Sequence, residues 1–180
     1  MIKIGITGSL ASGKTTASKI LAFKRGPLFS ADKAVKELYA NKHFKSLIRR
    51  SFKINNTNLI KKTLKKLVLT NKENIKKLEK LIHPRVRRKM RNFTRQNKNK
   101  KFVFYEIPLL IESKLMKNFN VIIFIKANKK IRLKRFKLKK GNKKIFNLLN
   151  SNQMADQKKI KYCDHVVVNE KNLKFLKKNL

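Results

Sequence analysis

The chain has 180 residues, of which 49 are lysine or arginine and 9 are aspartate or glutamate, giving a formal net charge of +40. That length suits one α/β domain with an inserted subdomain and leaves little room for two independent domains. No run of about 18 apolar residues exists, which excludes a helical membrane span, and the single cysteine, Cys163, excludes an internal disulfide.

Met1-Ile2-Lys3 leads straight into an apolar segment with no cleavable signal, so a cytoplasmic protein is expected. A charge this large would ordinarily suggest a polyanionic partner. Here the basic residues are spread over nearly every segment, as at Lys61-Lys62 and Lys65-Lys66, where a solvated helix back is the plain reading. The accompanying asparagine, isoleucine and phenylalanine fit the codon usage of an AT-rich genome. No specific nucleic-acid partner is therefore expected; the chain is also expected to be a monomer.

Ile2-Lys3-Ile4-Gly5-Ile6-Thr7 reads as a strand, and it feeds directly into Gly8-Ser9-Leu10-Ala11-Ser12-Gly13-Lys14-Thr15. The spacing G-x-x-x-x-G-K-T is that of a phosphate-binding loop, or P-loop. Its glycines let the backbone curl so that successive N–H groups point inward at nucleotide phosphates. Lys14 is expected to reach the β- and γ-phosphates, and the Thr15 hydroxyl to ligate Mg2+. Thr16 to Phe23 follows with Ala17, Ile20 and Leu21 on one helical face. The loop thus stands at a helix N-terminus, where the macrodipole and free N–H groups favour an anion.

Arg25-Gly26-Pro27 ends that helix, and Leu28-Phe29-Ser30 reads as a brief second strand. Asp32 lies just past its carboxyl end, the edge at which open parallel sheets bind ligands. From about Ala34 to Phe93 only helical periodicity is found. Leu59, Ile60, Leu64, Leu67 and Val68 form one apolar stripe, and Ile75, Leu78, Leu81 and Ile82 form another. His83-Pro84 is expected to end the second of these helices, with a new one starting at Pro84 and carrying Val86, Met90 and Phe93.

Phe102 to Pro108 is a short apolar run of the kind a buried parallel strand requires. Glu106 near its end is a candidate Mg2+ ligand, directly or through water, with an ion pair to a lysine as the alternative. Val121 to Ile125 is the clearest strand. A basic helix from Lys129 to Lys140, a turn at Gly141-Asn142 and a helix through Ile145, Leu148 and Leu149 follow, and His165 to Val168 is the last strand. Cys163 reads as a small filler beside it. Five strands alternating with helices predict a doubly wound, five-stranded parallel sheet of the P-loop NTPase class.

These motifs, in this order, resemble the dephospho-CoA kinase family along nearly the whole chain. The resemblance rests on Ile6-Thr7-Gly8 running into Ser12-Gly13-Lys14-Thr15-Thr16, on Ala31-Asp32, and on Leu81-Ile82-His83-Pro84. It continues through Ile107-Pro108-Leu109-Leu110-Ile111-Glu112, Arg132-Leu133-Lys134-Arg135, Gln153, and Asp164 with Asn169. It implies transfer of the γ-phosphoryl group of ATP, with Mg2+, to the ribose 3′-hydroxyl of dephospho-CoA. The implied organisation is a kinase core (1–33, 94–127 and 152–180), a helical substrate-binding insertion (about 34–93) and a helical lid (about 128–151).

On that resemblance Gly8 and the amides of Ala11, Ser12, Gly13, Lys14, Thr15 and Thr16 cradle ATP. Asp32 orients the acceptor hydroxyl and accepts its proton, or serves as the N-cap of a helix starting at Lys33. Arg135 closes over the transferred phosphate, or is one more solvated cation. His83 contacts the substrate or braces two helices. Pro108, Leu109 and Leu110 wall the acceptor nucleoside unless packing alone explains them, and Glu112 anchors that loop or meets the substrate. Asn169 approaches the adenine or is an ordinary turn residue.

Some positions depart from the family pattern. Ser30 stands where a first aspartate is usual, and Ser9-Leu10-Ala11 replaces a glycine-rich stretch. Lys139, Asp156 and Lys159 stand where arginine is common, and the chain stops at Leu180, short of most of the usual last helix. Slower turnover or weaker stability is expected. The competing readings are a nucleoside monophosphate kinase or other small-molecule P-loop kinase, a basic nucleotide-dependent nucleic-acid-binding module, and a decayed enzyme kept as a scaffold.

Overall fold

Five short apolar runs build one sheet. The computed structural model, which describes residues 1–54, 60, 63, 64, 67 and 71–180, contains β1 (Ile2–Gly8), β2 (Leu28–Ser30), β3 (Phe102–Glu106), β4 (Val121–Lys126) and β5 (His165–Val168). The described helices are α1 (Lys14–Ala22), α2 (Ala31–Ala40), α3 (Lys42–Phe52), α4 (Lys72–Gln96), α5 (Lys129–Leu138), α6 (Lys143–Ser151), α7 (Asp156–Ile160) and α8 (Leu173–Lys178). They fall into two compact units, one of Met1–Ser30 with Gln96–Leu180 and one of Ala31–Arg95.

In the first unit the strand order is β2-β3-β1-β4-β5 and every pair is parallel. From central β1 the chain moves to one edge and returns through β3. It then crosses to the other side, so the winding reverses beside β1 and opens a crevice at the carboxyl ends of the strands. An all-parallel sheet has to be covered on both faces. On one face Ala17, Leu21 and Ala22 of α1 and Leu176 of α8 pack with Ile6, Phe104, Ile125 and Val167. The alternate residues of the strands turn to the other face, where Leu110 and Phe119 lie over Gly5 and the Phe119 ring meets Tyr105 edge-on at 5.3 Å.

The abundant asparagines start helices. Asn128, Asn142 and Asn172 accept hydrogen bonds from the third following N–H, those of Ile131, Ile145 and Phe175, as Asn41 does from Phe44 in the second unit. Each such cap contributes about 1 kcal/mol over alanine.

The second unit packs α2, α3 and α4 around Leu38, Phe44, Ile48, Phe52, Ile54, Ile60 and Leu64, joined by Leu78, Leu81, Ile82 and Val86. Ile60, Leu64 and Leu67 of the first expected stripe are helical, while Leu59, Lys61-Lys62, Lys65-Lys66 and Val68 lie outside the described residues. One expectation is corrected. No break occurs at His83-Pro84, and α4 runs 25 residues through Pro84. Proline removes one helical hydrogen bond and crowds the preceding turn, at a cost of about 3 kcal/mol. Here the apolar stripe on both sides of it, Leu78, Leu81 and Ile82 before and Val86 after, faces one core. Burial of the whole stripe offsets the local penalty, and the Arg85 guanidinium donates to the Leu81 carbonyl at 2.8 Å in the disturbed turn.

Candidate active site

The loop between β1 and α1 needs glycine at both ends. Gly8 has φ +148°, and a Cβ there would meet the Ile125 carbonyl oxygen at 2.4 Å. Gly13 has φ +95°, and a Cβ there would stand 2.1 Å from Asn169 Nδ2. Between them Ala11 holds a left-handed φ of 60° without being glycine. No side chain caps α1 at Gly13, so the first-turn N–H groups, which begin at Lys14 and include Thr15 and Thr16, are oriented for an anion.

Two side chains complete the cradle. Lys14 is buried, with Nζ donating to the Ser9 carbonyl at 2.9 Å. The Thr15 hydroxyl donates to Glu106 Oε1 at 2.5 Å. Sheet register explains this meeting, because Glu106 ends β3 opposite Ile6 of β1 and Ser30 of β2. A buried carboxylate and a hydroxyl, both hard oxygen donors, converge beside the phosphate cradle. That donor set suits Mg2+, which takes one or two protein oxygens and completes its shell with phosphate oxygens and water.

The loop is also gripped from outside by residues of the stretch Asn128–Asn169. Arg135 donates to the carbonyls of Ser12 at 3.3 Å and Asn169 at 3.0 Å, and Asn169 Nδ2 donates to the Ser12 carbonyl at 2.8 Å. Buried Arg132 donates to the carbonyls of Ala127 and Leu10 and to Asn150 Oδ1 at 2.7 Å, and lies over the Phe146 ring. Burial pushes both guanidiniums below their ordinary pKa, opposed by Asp156 for Arg132 and by Glu170 for Arg135. Gln153 Oε1 accepts from the Leu10 N–H at 3.0 Å, and Asp156 accepts from the Ser9 hydroxyl.

The turn after β3 borders the loop as well. The Thr7 hydroxyl donates to the Pro108 carbonyl at 3.1 Å. Pro108 and Leu109 are half-buried, but Leu110 is wholly buried over Gly5. Leu110 therefore braces the turn from behind instead of lining a surface a ligand meets. Glu112 is an anchor here: Oε1 accepts from the Met154 N–H at 3.3 Å and stands 2.6 Å from the wholly buried Lys159 Nζ.

In the second unit, α2 starts at Ala31, so Asp32 occupies its first turn and does not cap a helix starting at Lys33. A carboxylate there is favoured by the helix dipole. His83 lies within α4, immediately before Pro84. The structure thus gathers Gly8, Ala11 to Thr16, Glu106, Arg135 and Asn169 at one loop, with Pro108 to Glu112 beside it.

Four contributors escaped the choice of site residues: Ser9, Arg132, Gln153 and Asp156. One signal was available for Asp156. In a chain with 9 acidic and 49 basic residues, a carboxylate inside a basic stretch has many cations to answer and stands out for that reason. No signal in the linear chain pairs it with Ser9, 147 positions away.

A doubly wound parallel sheet whose first strand feeds a glycine-ended loop, with a buried lysine and a threonine–glutamate pair, defines a P-loop kinase. The sequence profile of the family described as dephospho-CoA kinase matches residues 2–174. A Bartonella quintana dephospho-CoA kinase is 35% identical over 175 residues, covering 94% of this chain and 90% of that protein. Among solved structures, a Thermus thermophilus protein superposes with a TM-score of 0.84 at 28% identity, over 97% of this chain and 92% of that one. A Campylobacter jejuni dephospho-CoA kinase does so with 0.68 at 29% identity, over 98% and 92%. The chain belongs to the dephospho-CoA kinase family.

Proposed function

We propose that this chain transfers the γ-phosphoryl group of ATP to the ribose 3′-hydroxyl of dephospho-CoA, giving CoA and ADP as the last step of CoA synthesis. The observation that carries the reading is the family match across residues 2–174 together with the built phosphate loop at its start. It acts in the cytoplasm.

Phosphoryl transfer demands positioning and charge neutralisation more than covalent work. The amides from Ala11 to Thr16 hold the phosphates, and Lys14 exchanges the Ser9 carbonyl for the β- and γ-phosphate oxygens. Thr15 and Glu106 would hold Mg2+, which when bound would neutralise charge spread over the transferred group. Asp32, just beyond the carboxyl end of β2, orients the acceptor hydroxyl and takes its proton. Arg135 and Asn169 keep Ser12 and Gly13 in shape and border the nucleotide. Pro108 and Leu109 offer the acceptor an apolar surface, with His83 on the helical insertion as a further substrate contact. The insertion of about 34–93 holds the acceptor, and the stretch of about 128–151 is the lid.

ADP release with dephospho-CoA, compared with nucleoside monophosphates, tests the substrate; preference for a monophosphate overturns the assignment. Lys14→Ala is expected to lower kcat/KM by a factor on the order of 10² to 10³. Asp32→Asn is expected to keep ATP affinity and lose about 10²- to 10⁴-fold in kcat. Full turnover by Asp32→Asn would remove it as the base.

A further inference from the structure

Ser9, Leu10 and Glu112, which lie far apart in the chain, are all met by one short stretch. Gln153 and Asp156 reach one way, to the Leu10 N–H and the Ser9 hydroxyl of the phosphate loop. The Met154 N–H and Lys159 reach the other way, to Glu112 in the turn after β3. Two turns at the carboxyl edge of the sheet are thereby bridged by seven residues, Gln153 to Lys159.

The bridge is more than surface decoration. Lys159 is wholly buried, and its ammonium lies 2.6 Å from Glu112 Oε1, an ion-pair distance off hydrogen-bond alignment. Burying a lysine is costly unless a carboxylate faces it. Asp156 also leans on Arg132, which itself holds the Leu10 carbonyl, so the N–H and the carbonyl of Leu10 are both held from this side. The loop needs such support. Ala11 sits at φ 60°, where a side chain costs about 1 kcal/mol or more without restraint from its surroundings.

We propose that Gln153 to Lys159 is a strap that sets the phosphate loop and the turn after β3 against one another, with Gln153, Asp156 and Lys159 as positioning residues for phosphoryl transfer. Ser9 is its partner on the loop, so the serine and the aspartate that are hydrogen-bonded across 147 positions act as a pair. The reactants of an in-line transfer have to be held about 3 to 3.5 Å apart, and a displacement of about 1 Å can cost 10²-fold. Through Asp156 the strap acts on the ATP side, and through Lys159 and Glu112 on the acceptor side. The acceptor half of the inference rests on the function proposed above; the ATP half does not.

The test separates the two. Direct titration with ATP needs no acceptor and is expected to show affinity about tenfold weaker for Ser9→Ala and for Asp156→Ala, with the double variant no worse than either. Asp156→Asn keeps an acceptor oxygen and is expected to restore most of the loss. Steady-state kinetics of Lys159→Met are expected to show a raised KM for dephospho-CoA with the ATP affinity of the wild type. If Lys159→Met does not fold, Glu112→Gln, which retains an acceptor for Met154, decides that arm. Additive losses in the Ser9/Asp156 pair overturn the strap, as do lowered melting temperatures with both substrate constants unchanged. Failure of the wild type to use dephospho-CoA overturns the functional reading and leaves the ATP titration standing.

Discussion

Gly13 and Cys163 show how much one residue's surroundings decide. At Gly13 a methyl group would need to share space with Asn169 Nδ2 at 2.1 Å and hold a φ of +95°, so both side-chain volume and backbone conformation exclude it. Gly13→Ala is expected to displace Asn169 from the Ser12 carbonyl and weaken ATP binding at least about tenfold, read by calorimetric titration. Wild-type affinity would show that the loop can yield. Cys163 makes the opposite case. Burial, with Asp164 adding to it and Lys159 opposing, pushes its thiol up to about 11. The thiolate is the reactive form, so its fraction stays small until the pH approaches that value. Alkylation by iodoacetamide at pH 8 is expected to be about tenfold or more slower than for free cysteine and to rise steeply above pH 10. Rapid labelling at pH 8 would contradict the assigned environment.

At the scale of elements, α4 is the instructive one, because a strong local signal loses to packing. Pro84 costs the helix a hydrogen bond, yet Leu78, Leu81, Ile82 and Val86 keep facing one core through it. Pro84→Ala restores the missing N–H and relieves the crowding. Part of that gain is lost to the freer unfolded chain, and a net stabilisation of about 1 to 2 kcal/mol is expected. A higher melting temperature checks it; a lower one would mean that the proline ring itself packs usefully. The strands behave differently from α4. Each is a short, mostly apolar run with glycine, proline or asparagine at or near one end, and all five formed where the pattern placed them, since a parallel sheet buried on both faces asks for little else. Four helix starts are local in the same way, with the side-chain oxygens of Asn41, Asn128, Asn142 and Asn172 accepting from N–H groups three residues on.

For the molecule as a whole the dominant quantity is the charge of +40. Most of these cations have no carboxylate to meet, and their mutual repulsion works against the compact state. Added salt shortens the reach of that repulsion to about 10 Å at 0.1 M. Raising KCl from about 20 to about 300 mM is therefore expected to raise the melting temperature by several degrees, whereas a charge-balanced relative would change little. Any RNA bound at the lower salt should be released at the higher; retention would point to a specific nucleic-acid partner. The candidate site was readable only in part. The phosphate loop, Lys14 and Thr15 are neighbours in the chain, and their chemistry follows from spacing alone, because a strand–loop–helix unit folds its own residues into one place. Glu106 was readable as an acid near the end of a strand for the same local reason. Which acid meets which partner was not. That Glu106 takes the Thr15 hydroxyl, Asp156 the Ser9 hydroxyl and Glu112 the buried Lys159 depends on strand register and on how α5 to α7 return over the loop. Such pairings join residues dozens to more than a hundred positions apart, and only the folded sheet, by burying their carriers together, selects them.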